Sequence, residues 1–283
     1  MSTAYLNGKL VPLNKAKISV LDRGFLYGDG AFETMRAREG EIFKLEKHIE
    51  RLYRALGELS IRIPAKKKKI RNIIYSLLKK NKLKNAYIKV IVTRGETSGL
   101  LGLSKKMRPT LAIYVLPYKP LPSIVYKKGI KACIAKNALN ERSKIAGKKT
   151  LNYLSNILYR AAAKKKGFDD CVLLDSRGFV SEGTSSNIFV IKKGKLYTPG
   201  LKSGCLPGTT RQEVARLADK YFEKKVIETN IAVKMLYTAD EIFFTNSLAE
   251  IIPVIKIDNI RIGKGRPGRT TIMIHEFLKK EGK

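Results

Sequence analysis

The sequence of residues 146–156 is AGKKTLNYLSN, in which Lys148 and Lys149 stand directly before a helical pattern. The pattern continues from Thr150 to Gly167, where glycine is a stop signal for a helix. Burial of one apolar face of this helix would fix the position of the residue before it. A lysine held there beside an enclosed site would be desolvated, which lowers its pKa and makes its amine nucleophilic. A solvated pair of surface lysines is the alternative.

The composition is that of a globular protein with a large positive charge. The 283 residues are 44% hydrophobic, which predicts one large domain or two smaller domains with a sizeable core. With 57 Lys and Arg against 24 Asp and Glu, the formal net charge is +33, so a polyanion is a partner to consider. The basic residues are spread over the whole chain, however, and in the run Ala65–Lys84 they surround apolar residues at helical spacing. We therefore expect solvated helix faces and no specific nucleic-acid partner.

The cysteines and histidines argue against a metal site. Cys133, Cys171 and Cys205 are far apart, and His48 and His275 are the two histidines of the sequence, so zinc-binding spacing is lacking. We expect free thiols in a reducing compartment and no metal cofactor. The sequence also lacks a hydrophobic leader pattern and an apolar run near 18 residues, which predicts a cytoplasmic protein without a membrane span.

One segment has the composition of a linker. Three prolines lie within PYKPLP, residues 117–122. We accordingly predict a small N-terminal domain (residues 1–117), a linker (residues 118–124) and a larger C-terminal domain (residues 125–283). Short strand patterns mix with helices without strict βαβ alternation. The pattern favours an α+β fold over a dinucleotide-binding fold.

Two turns of the C-terminal part suit a phosphorylated ligand. In LPGTTRQEV, Gly208, Thr209 and Thr210 open a helix whose backbone N–H groups and hydroxyls are typical of a phosphate site. FFTNSLAEIIPV contains a second turn of small residues that would approach a phosphate from another side. A plain helix cap is the alternative for the first turn.

Two charged residues also stand out. VSEGTSSNIF places Glu182 in a turn between two strand patterns, and the N-terminal part carries Arg51 on a helix near a glycine-rich turn. The alternative for Glu182 is an ordinary turn carboxylate, and the alternative for Arg51 is one half of a surface ion pair.

Together these five segments resemble, in order along residues 3–280, the class IV aminotransferases, the pyridoxal-phosphate enzymes of fold type IV. That group includes branched-chain aminotransferases, D-amino acid aminotransferases and aminodeoxychorismate lyases. The resemblance implies the two-domain fold of D-amino acid aminotransferases, with a small N-terminal α/β domain and a larger cofactor-binding domain. It further implies pyridoxal 5'-phosphate as cofactor and a homodimer.

The resemblance also implies roles for individual residues. Lys149 matches the catalytic lysine that forms a Schiff base with the cofactor, and Lys148 would be its surface neighbour. Glu182 matches the carboxylate that pairs with the pyridinium nitrogen. The implied phosphate ligands are Arg51, Thr209, Thr210 and Ser247. The other implied cofactor contacts are Tyr153, near the phenolic oxygen, and Leu206, against the ring.

The substrate signals conflict. Branched-chain members usually have an arginine where this chain has Lys89, which keeps the charge for a second carboxylate but loses the bidentate fork. The Arg-x-His carboxylate trap of the best-known D-amino acid enzymes is absent from the sequence after Thr93-Arg94-Gly95. FETMR and TNSLAEIIPV look more like aminodeoxychorismate lyases, but the basic and aromatic stretch of those lyases is replaced here by the apolar loop Leu100–Leu103.

This apolar loop would line a pocket for a hydrophobic side chain. We therefore predict transfer of an amino group from an amino acid with an apolar side chain to a 2-oxo acid such as 2-oxoglutarate. The handedness of the substrate stays open, and an aminodeoxychorismate lyase is the alternative. An exposed apolar loop is costly unless it is covered, so we expect it to border a substrate pocket in a homodimer. The expected substrate-binding residues are Phe32, Lys89, Leu101 and Leu248.

Overall fold

Two β-sheets, one of six strands and one of ten, form the framework of the computed structural model, which describes residues 2–97, 101–103, 107–136, 139–223 and 225–281. The chain divides into two compact units. Unit 1 comprises Met1–Lys119 and Lys148–Asn152, and unit 2 comprises Pro120–Gly147 and Tyr153–Lys283. Each unit combines strands with helices, which confirms the predicted α+β class.

Unit 1 is built on the six-stranded sheet. Its strands are β1 (Thr3–Leu6), β2 (Lys9–Pro12), β3 (Gly30–Arg38), β4 (Glu41–Ile42), β5 (Ala86–Thr93) and β6 (Thr110–Pro117). Its helices are α1 (Arg23–Tyr27), α2 (Leu45–Glu58) and α3 (Lys67–Lys80), with a 3-10 turn at Leu13–Lys15. The strand order is β2-β1-β6-β5-β3-β4, and all neighbouring strands in it are antiparallel.

The six-stranded sheet has two different faces. Along β5, Ile88 and Val90 are fully buried. Tyr87, Lys89 and Ile91 alternate with them and are only partly buried, because successive side chains of a strand point to opposite faces. The buried face shares one core with the apolar sides of α2 and α3. The opposite face is the one that carries polar and charged side chains.

Unit 2 is built on the ten-stranded sheet. Its strands are β7 (Ile130–Ala135), β8 (Asp170–Leu174), β9 (Phe179–Gly183), β10 (Asn187–Lys192), β11 (Lys195–Pro199), β12 (Ile227–Thr229), β13 (Ile231–Ala232), β14 (Glu241–Asn246), β15 (Glu250–Ile257) and β16 (Ile260–Arg261). Its helices are α4 (Ser123–Lys128), α5 (Leu154–Lys165), α6 (Thr209–Phe222), α7 (Val233–Tyr237) and α8 (Arg269–Glu281), with a 3-10 turn at Leu201–Ser203. The strand order is β12-β11-β10-β14-β15-β7-β8-β9-β13, and β16 pairs with β15.

The centre of unit 2 is covered on both faces of its sheet. Residues 187–191 of β10 are all buried, a continuous run that is typical of a strand with both faces packed. Phe189 and Phe243 are directly paired on β10 and β14, and their rings stack with centroids 5.0 Å apart. Helix α6 packs against β14 and α8, so its first turn is held by the sheet.

The segment around the two lysines differs from its prediction. The helix predicted from Thr150 begins at Leu154, because the preceding residues pair with β3. Leu151 N–H donates to the Gly30 carbonyl over 3.0 Å, and Thr150 bridges to Ala31. This pairing assigns Lys148–Asn152 to unit 1, whereas the sequence-based division included it in residues 125–283. The predicted linker, residues 118–124, contains the point where the chain passes from unit 1 to unit 2.

Two kinds of feature are absent from the described residues. None of the helices within them has the length and apolar character required to cross a membrane. In the same residues, no group of three or more His, Cys, Asp and Glu side chains is arranged to hold a metal ion.

Candidate active site

The two adjacent lysines have different surroundings. The Lys149 carbonyl accepts a hydrogen bond from Phe32 N–H over 3.0 Å, which fixes its backbone beside β3. Its Nζ lies 4.5 Å from the centroid of the Phe32 ring. The Nζ of Lys148 lies instead 3.0 Å from a carboxylate oxygen of Glu58. Lys149 is thus the lysine that lies beside Phe32.

A second amine approaches the same ring. Lys89 Nζ lies 3.6 Å from the centroid of Phe32 and donates to Thr34 Oγ1 over 3.2 Å. Burial lowers the pKa of Lys89 to about 8; the charge of Lys149 adds to this effect and Glu33 opposes it. Phe32, Lys89 and Lys149, three of the residues named from sequence, therefore lie together in unit 1.

Arg51 is bound to a buried carboxylate. Its Nε and Nη2 donate to the two oxygens of Glu33 over 2.7 and 2.8 Å, in bidentate geometry. His48 Nδ1 lies 2.7 Å from the same carboxylate and must carry a proton there, because an ionised carboxylate can only accept. All three side chains are buried.

The charge states of this group follow from its packing. Burial alone would raise the pKa of Glu33, but Arg51 and His48 outweigh it and hold the pKa at about 2. Burial also lowers the pKa of His48, and this effect exceeds the opposing influence of Glu33. Glu33 is thus an anion and His48 a neutral donor at neutral pH.

Sequence analysis missed Glu33. The signal that identifies it is its place in β3, where it falls between Ala31 and Met35 on the buried face. A carboxylate at such a core position needs a cationic partner, and Arg51 on the next helix provides one. We call Glu33, His48, Arg51, Lys89 and Lys149, with the ring of Phe32, the unit 1 cluster.

In unit 2, Glu182 lies at the end of β9 and contacts another predicted residue. Its Oε2 accepts from the backbone N–H of Leu206 over 2.9 Å. The Leu206 carbonyl in turn accepts from Asn187 Nδ2 over 2.7 Å. The segment before α6 is therefore tied to β9 and β10 at a single residue. At Gly208 a β-carbon would lie 2.0 Å from Asn187 Oδ1, so the approach of this turn to β10 requires glycine.

The first turn of α6 meets the turn between β14 and β15. The hydroxyl oxygens of Thr209 and Ser247 are 3.3 Å apart. Thr210 Oγ1 is buried and has no hydrogen-bond partner among the described residues. The Asn246 side chain accepts from the N–H groups of Leu248 and Ala249 over 3.0 and 2.8 Å, which fixes the second turn.

This arrangement has the properties of an anion site. A buried hydroxyl without a partner is costly, and a helix N-terminus offers backbone N–H groups and positive dipole charge to an anion. We call Glu182, Leu206, Thr209, Thr210 and Ser247 the unit 2 cluster.

Three predicted residues lie outside these clusters. Tyr153 is partly buried and occupies the N-cap position of α5 in unit 2. Leu248 follows Ser247 in the fixed turn and is partly buried. In the predicted apolar loop, Leu100 falls outside the described residues, and the side chain of Leu101 is exposed while its carbonyl accepts from Arg23 Nη2 over 3.2 Å.

Comparison with known proteins identifies relatives over nearly the whole chain. The family profile "Amino-transferase class IV" matches residues 30–257. A putative branched-chain-amino-acid aminotransferase of Methanocaldococcus jannaschii is 40% identical over 278 residues, which are 97% of this chain and 94% of that protein.

Solved structures give the same result. The crystal structure of the Escherichia coli branched-chain amino acid aminotransferase superposes with a TM-score of 0.95 at 28% identity, covering 99% of this chain and 94% of that one. The T.th. branched-chain amino acid aminotransferase complexed with N-(5'-phosphopyridoxyl)-L-glutamate has a TM-score of 0.92 at 28% identity, with the same coverage.

Proposed function

The chain belongs to the class IV aminotransferase family, and we propose that it transfers the amino group of an amino acid with an apolar side chain to a 2-oxo acid such as 2-oxoglutarate. The observation that carries this function is the similarity to branched-chain aminotransferases along almost the whole chain. The family and fold type IV predicted from sequence are confirmed. The protein is a pyridoxal-phosphate-dependent aminotransferase.

The residues of both clusters fit this cofactor. Pyridoxal 5'-phosphate has a phosphate, a ring nitrogen and an aldehyde, and the chain has an anion site, a carboxylate and an amine to match. When bound, the cofactor supplies an electron-accepting ring that stabilises the negative charge left on the α-carbon of the amino acid after loss of its proton.

The phosphate would bind at the first turn of α6. Thr210 brings a buried hydroxyl without a partner among the described residues, and Thr209 and Ser247 bring two more hydroxyls. Backbone N–H groups of the turn complete the donors. Arg51 would supply a guanidinium whose orientation Glu33 fixes through two hydrogen bonds.

Glu182 would hold the proton on the ring nitrogen. Its Oε2 is fixed by the N–H of Leu206, so the carboxylate keeps one orientation. A carboxylate facing the nitrogen favours the protonated ring, which accepts electrons better than the neutral ring does. Leu206 would pack its apolar side chain against the ring, and Tyr153 would donate to the phenolic oxygen.

Lys149 would be the catalytic amine. Its Nζ would hold the cofactor through a covalent bond to the aldehyde carbon, and the amino group of the substrate would displace it. The freed Nζ would then take the proton from the α-carbon as a general base and, as a general acid, deliver it to the carbon that had carried the aldehyde. The hydrogen bond between its carbonyl and Phe32 N–H fixes the backbone from which this side chain extends.

The side chain of the substrate would bind among apolar residues. Phe32, Leu101 and Leu248 are the candidates for this contact, and Lys89 is the candidate for the second carboxylate of 2-oxoglutarate. As a compact ammonium, Lys89 would bind that carboxylate through a point charge without the two-pronged geometry of arginine.

We also propose that the chain forms a homodimer. Leu154, Ile157 and Leu158 are all more than half exposed and lie on one side of α5, and in unit 1 Phe25 and Leu101 are similarly exposed. Apolar groups of this size are usually covered by a partner. Sedimentation should give the mass of two chains, and a fully active monomer would contradict the proposal.

The cytoplasm is the proposed location. Cys133, Cys171 and Cys205 are all free thiols, as expected from the sequence. Free thiols in this number are typical of a reducing compartment.

The amino acid specificity can be tested in half-reactions. Cofactor-loaded protein is mixed with single L- and D-amino acids without an acceptor, and the loss of its visible absorption is followed. Leucine, isoleucine and valine of one hand should remove the absorption, and 2-oxoglutarate should restore it. The reactive enantiomer identifies the handedness. Release of pyruvate from 4-amino-4-deoxychorismate, with no response to apolar amino acids, would overturn the proposal in favour of the lyase.

A further inference from the structure

Two amines of unit 1 share one aromatic ring. Lys89 Nζ and Lys149 Nζ lie 3.6 and 4.5 Å from the centroid of the Phe32 ring. The distance between the two nitrogens therefore cannot exceed the sum of these values. Two ammonium groups this close repel each other, and the repulsion is strong where burial excludes water.

Lys89 is held in this place by its strand. In β5 it is directly paired with Thr34 of β3 on one side and with Tyr114 of β6 on the other. Its Nζ donates to Thr34 Oγ1, so the amine is anchored on the sheet. Lys149 is anchored as well, through its backbone bond to Phe32. The Lys89 amine cannot move away from Lys149 without losing its side-chain hydrogen bond, and the backbone of Lys149 is fixed beside Phe32.

The other charged groups near Lys89 do not cancel this repulsion. Glu33 attracts Lys89, but its carboxylate is already bound to Arg51 and His48 on the far face of β3. Burial raises the pKa of Tyr114 to about 12, so this neighbouring side chain is neutral at the pH values at which Lys89 titrates. Arg36, on the same strand face as Thr34, adds a further positive charge.

We propose that Lys89 acts through Lys149: its positive charge over the shared ring favours the neutral, nucleophilic form of the Lys149 amine. A neighbouring cation is one of the established means of activating a lysine nucleophile, because it disfavours the protonated form. The coupling is mutual, since each charge changes the proton affinity of the other. The inference rests on the proposed function for the identification of Lys149 as the catalytic amine.

The activation has its own pH dependence. Burial, together with the charge of Lys149, lowers the pKa of Lys89 from 10.5 to about 8, so Lys89 is charged below pH 8 and neutral above it. Its effect on Lys149 is therefore full below pH 8 and is lost as the pH rises through that value. An arginine in this place would stay charged throughout.

The test measures the protonation of Lys149 directly. The full chain, freed of cofactor, is methylated on its lysines with ¹³C-formaldehyde and a mild reductant, and the methyl signals are titrated by NMR. The signal that disappears in Lys149→Arg identifies Lys149. In Lys89→Met its midpoint should rise by on the order of one pH unit. In Lys89→Arg the midpoint should stay low.

Matched variants separate this effect from a loss of structure. Lys89→Gln keeps a donor for Thr34 but no charge, so its midpoint should rise as in Lys89→Met. Lys148→Met removes a lysine paired with Glu58, and the Lys149 midpoint should not move. An unchanged midpoint in both uncharged Lys89 variants would overturn the inference.

The same titration separates the inference from the proposed function. It needs no cofactor and no turnover, so it can succeed even if the chain fails to bind pyridoxal phosphate. In the loaded protein, the pH midpoint of the visible absorption should shift in the same direction in Lys89→Met. If the midpoint of the Lys149 signal moves as expected but the chain binds no cofactor, the proposed function is refuted and the coupling of the two lysines still holds.

Discussion

The unit 1 and unit 2 clusters use different means to prepare a site. In unit 1 the groups are charged side chains whose protonation depends on burial and on one another, as in Glu33 and Lys89. In unit 2 they are mainly hydroxyls and backbone N–H groups fixed by turns, with Glu182 as the one carboxylate. Under the proposed function, unit 1 would supply reactivity that varies with pH and unit 2 would supply binding that does not.

Among the changes that test this comparison, removal of Lys149 should cause the largest loss of turnover. Lys149→Ala should reduce turnover by about 10⁴-fold, because the amine is both nucleophile and proton carrier. Reduction with borohydride should leave the cofactor attached to the wild-type chain and not to this variant, as seen by mass spectrometry. Lys148→Ala, which removes the contact with Glu58, should retain both activity and attachment. Attachment at Lys148 would refute the assignment.

The next largest effect is expected in the buried ion pair of unit 1. Glu33→Gln leaves the guanidinium of Arg51 buried without a full counter-charge and should lower the free energy of unfolding by about 3 kcal/mol. Chemical denaturation at pH 7 measures it. The matched control is Glu46→Gln, since the pair of Glu46 with Arg71 is exposed and should contribute less than about 1 kcal/mol.

The same ion pair also predicts how the free energy of unfolding changes with pH. The pKa of Glu33 is depressed to about 2 from 4.5, so its stabilisation is complete above pH 4.5 and is lost as the pH falls toward 2. The difference between wild type and Glu33→Gln should shrink over this range. A difference that stays constant down to pH 2 would show that Glu33 is not held ionised by Arg51.

The sequence predicted all members of the unit 2 cluster as site residues, whereas Glu33 and His48 of the unit 1 cluster were not predicted. Thr209, Thr210 and Ser247 lie in local turns whose composition indicates their use, and their contacts are made close to where the pattern predicts them. The partners of Glu33 and Lys89 come from other strands and helices, so their burial and protonation depend on tertiary packing. No local pattern contains that information.

The helix after the lysines shows the same limit. Periodicity predicted a helix from Thr150, but pairing of this segment with β3 delays its start to Leu154. The local helix propensity did not decide the structure of this segment, because its strand partner β3 lies more than a hundred positions away in the sequence. That pairing is also what places Lys149 beside Phe32, so the error in the helix start and the position of Lys149 have one cause.

A substitution of Glu182 tests the role of the one charged group in the unit 2 cluster. Glu182→Gln should keep the bound cofactor but lose turnover by roughly 10²-fold, the scale of removing one preorganised electrostatic partner. Visible absorption measures the cofactor, and single-turnover kinetics measure the loss. Glu228→Gln is the control, because Glu228 is half exposed and pairs with Arg211. Near-normal turnover would show that Glu182 serves only to hold Leu206.

A substitution of Thr210 should give the smallest effect, a loss of cofactor affinity. Unlike the effects in the unit 1 cluster, this loss should not depend on pH. Thr210→Val keeps the shape of the side chain but removes a buried hydroxyl that has no partner among the described residues. Without cofactor the variant should be as stable as wild type or slightly more stable, since no hydrogen bond is lost. With cofactor it should bind about tenfold more weakly, because a hydroxyl bound to a charged phosphate is lost. The weakening should be the same at pH 6 and pH 9, as the hydroxyl does not titrate. Reduced stability of the cofactor-free variant, with unchanged affinity, would mean that Thr210 serves the fold and that the first turn of α6 binds its anion through other groups.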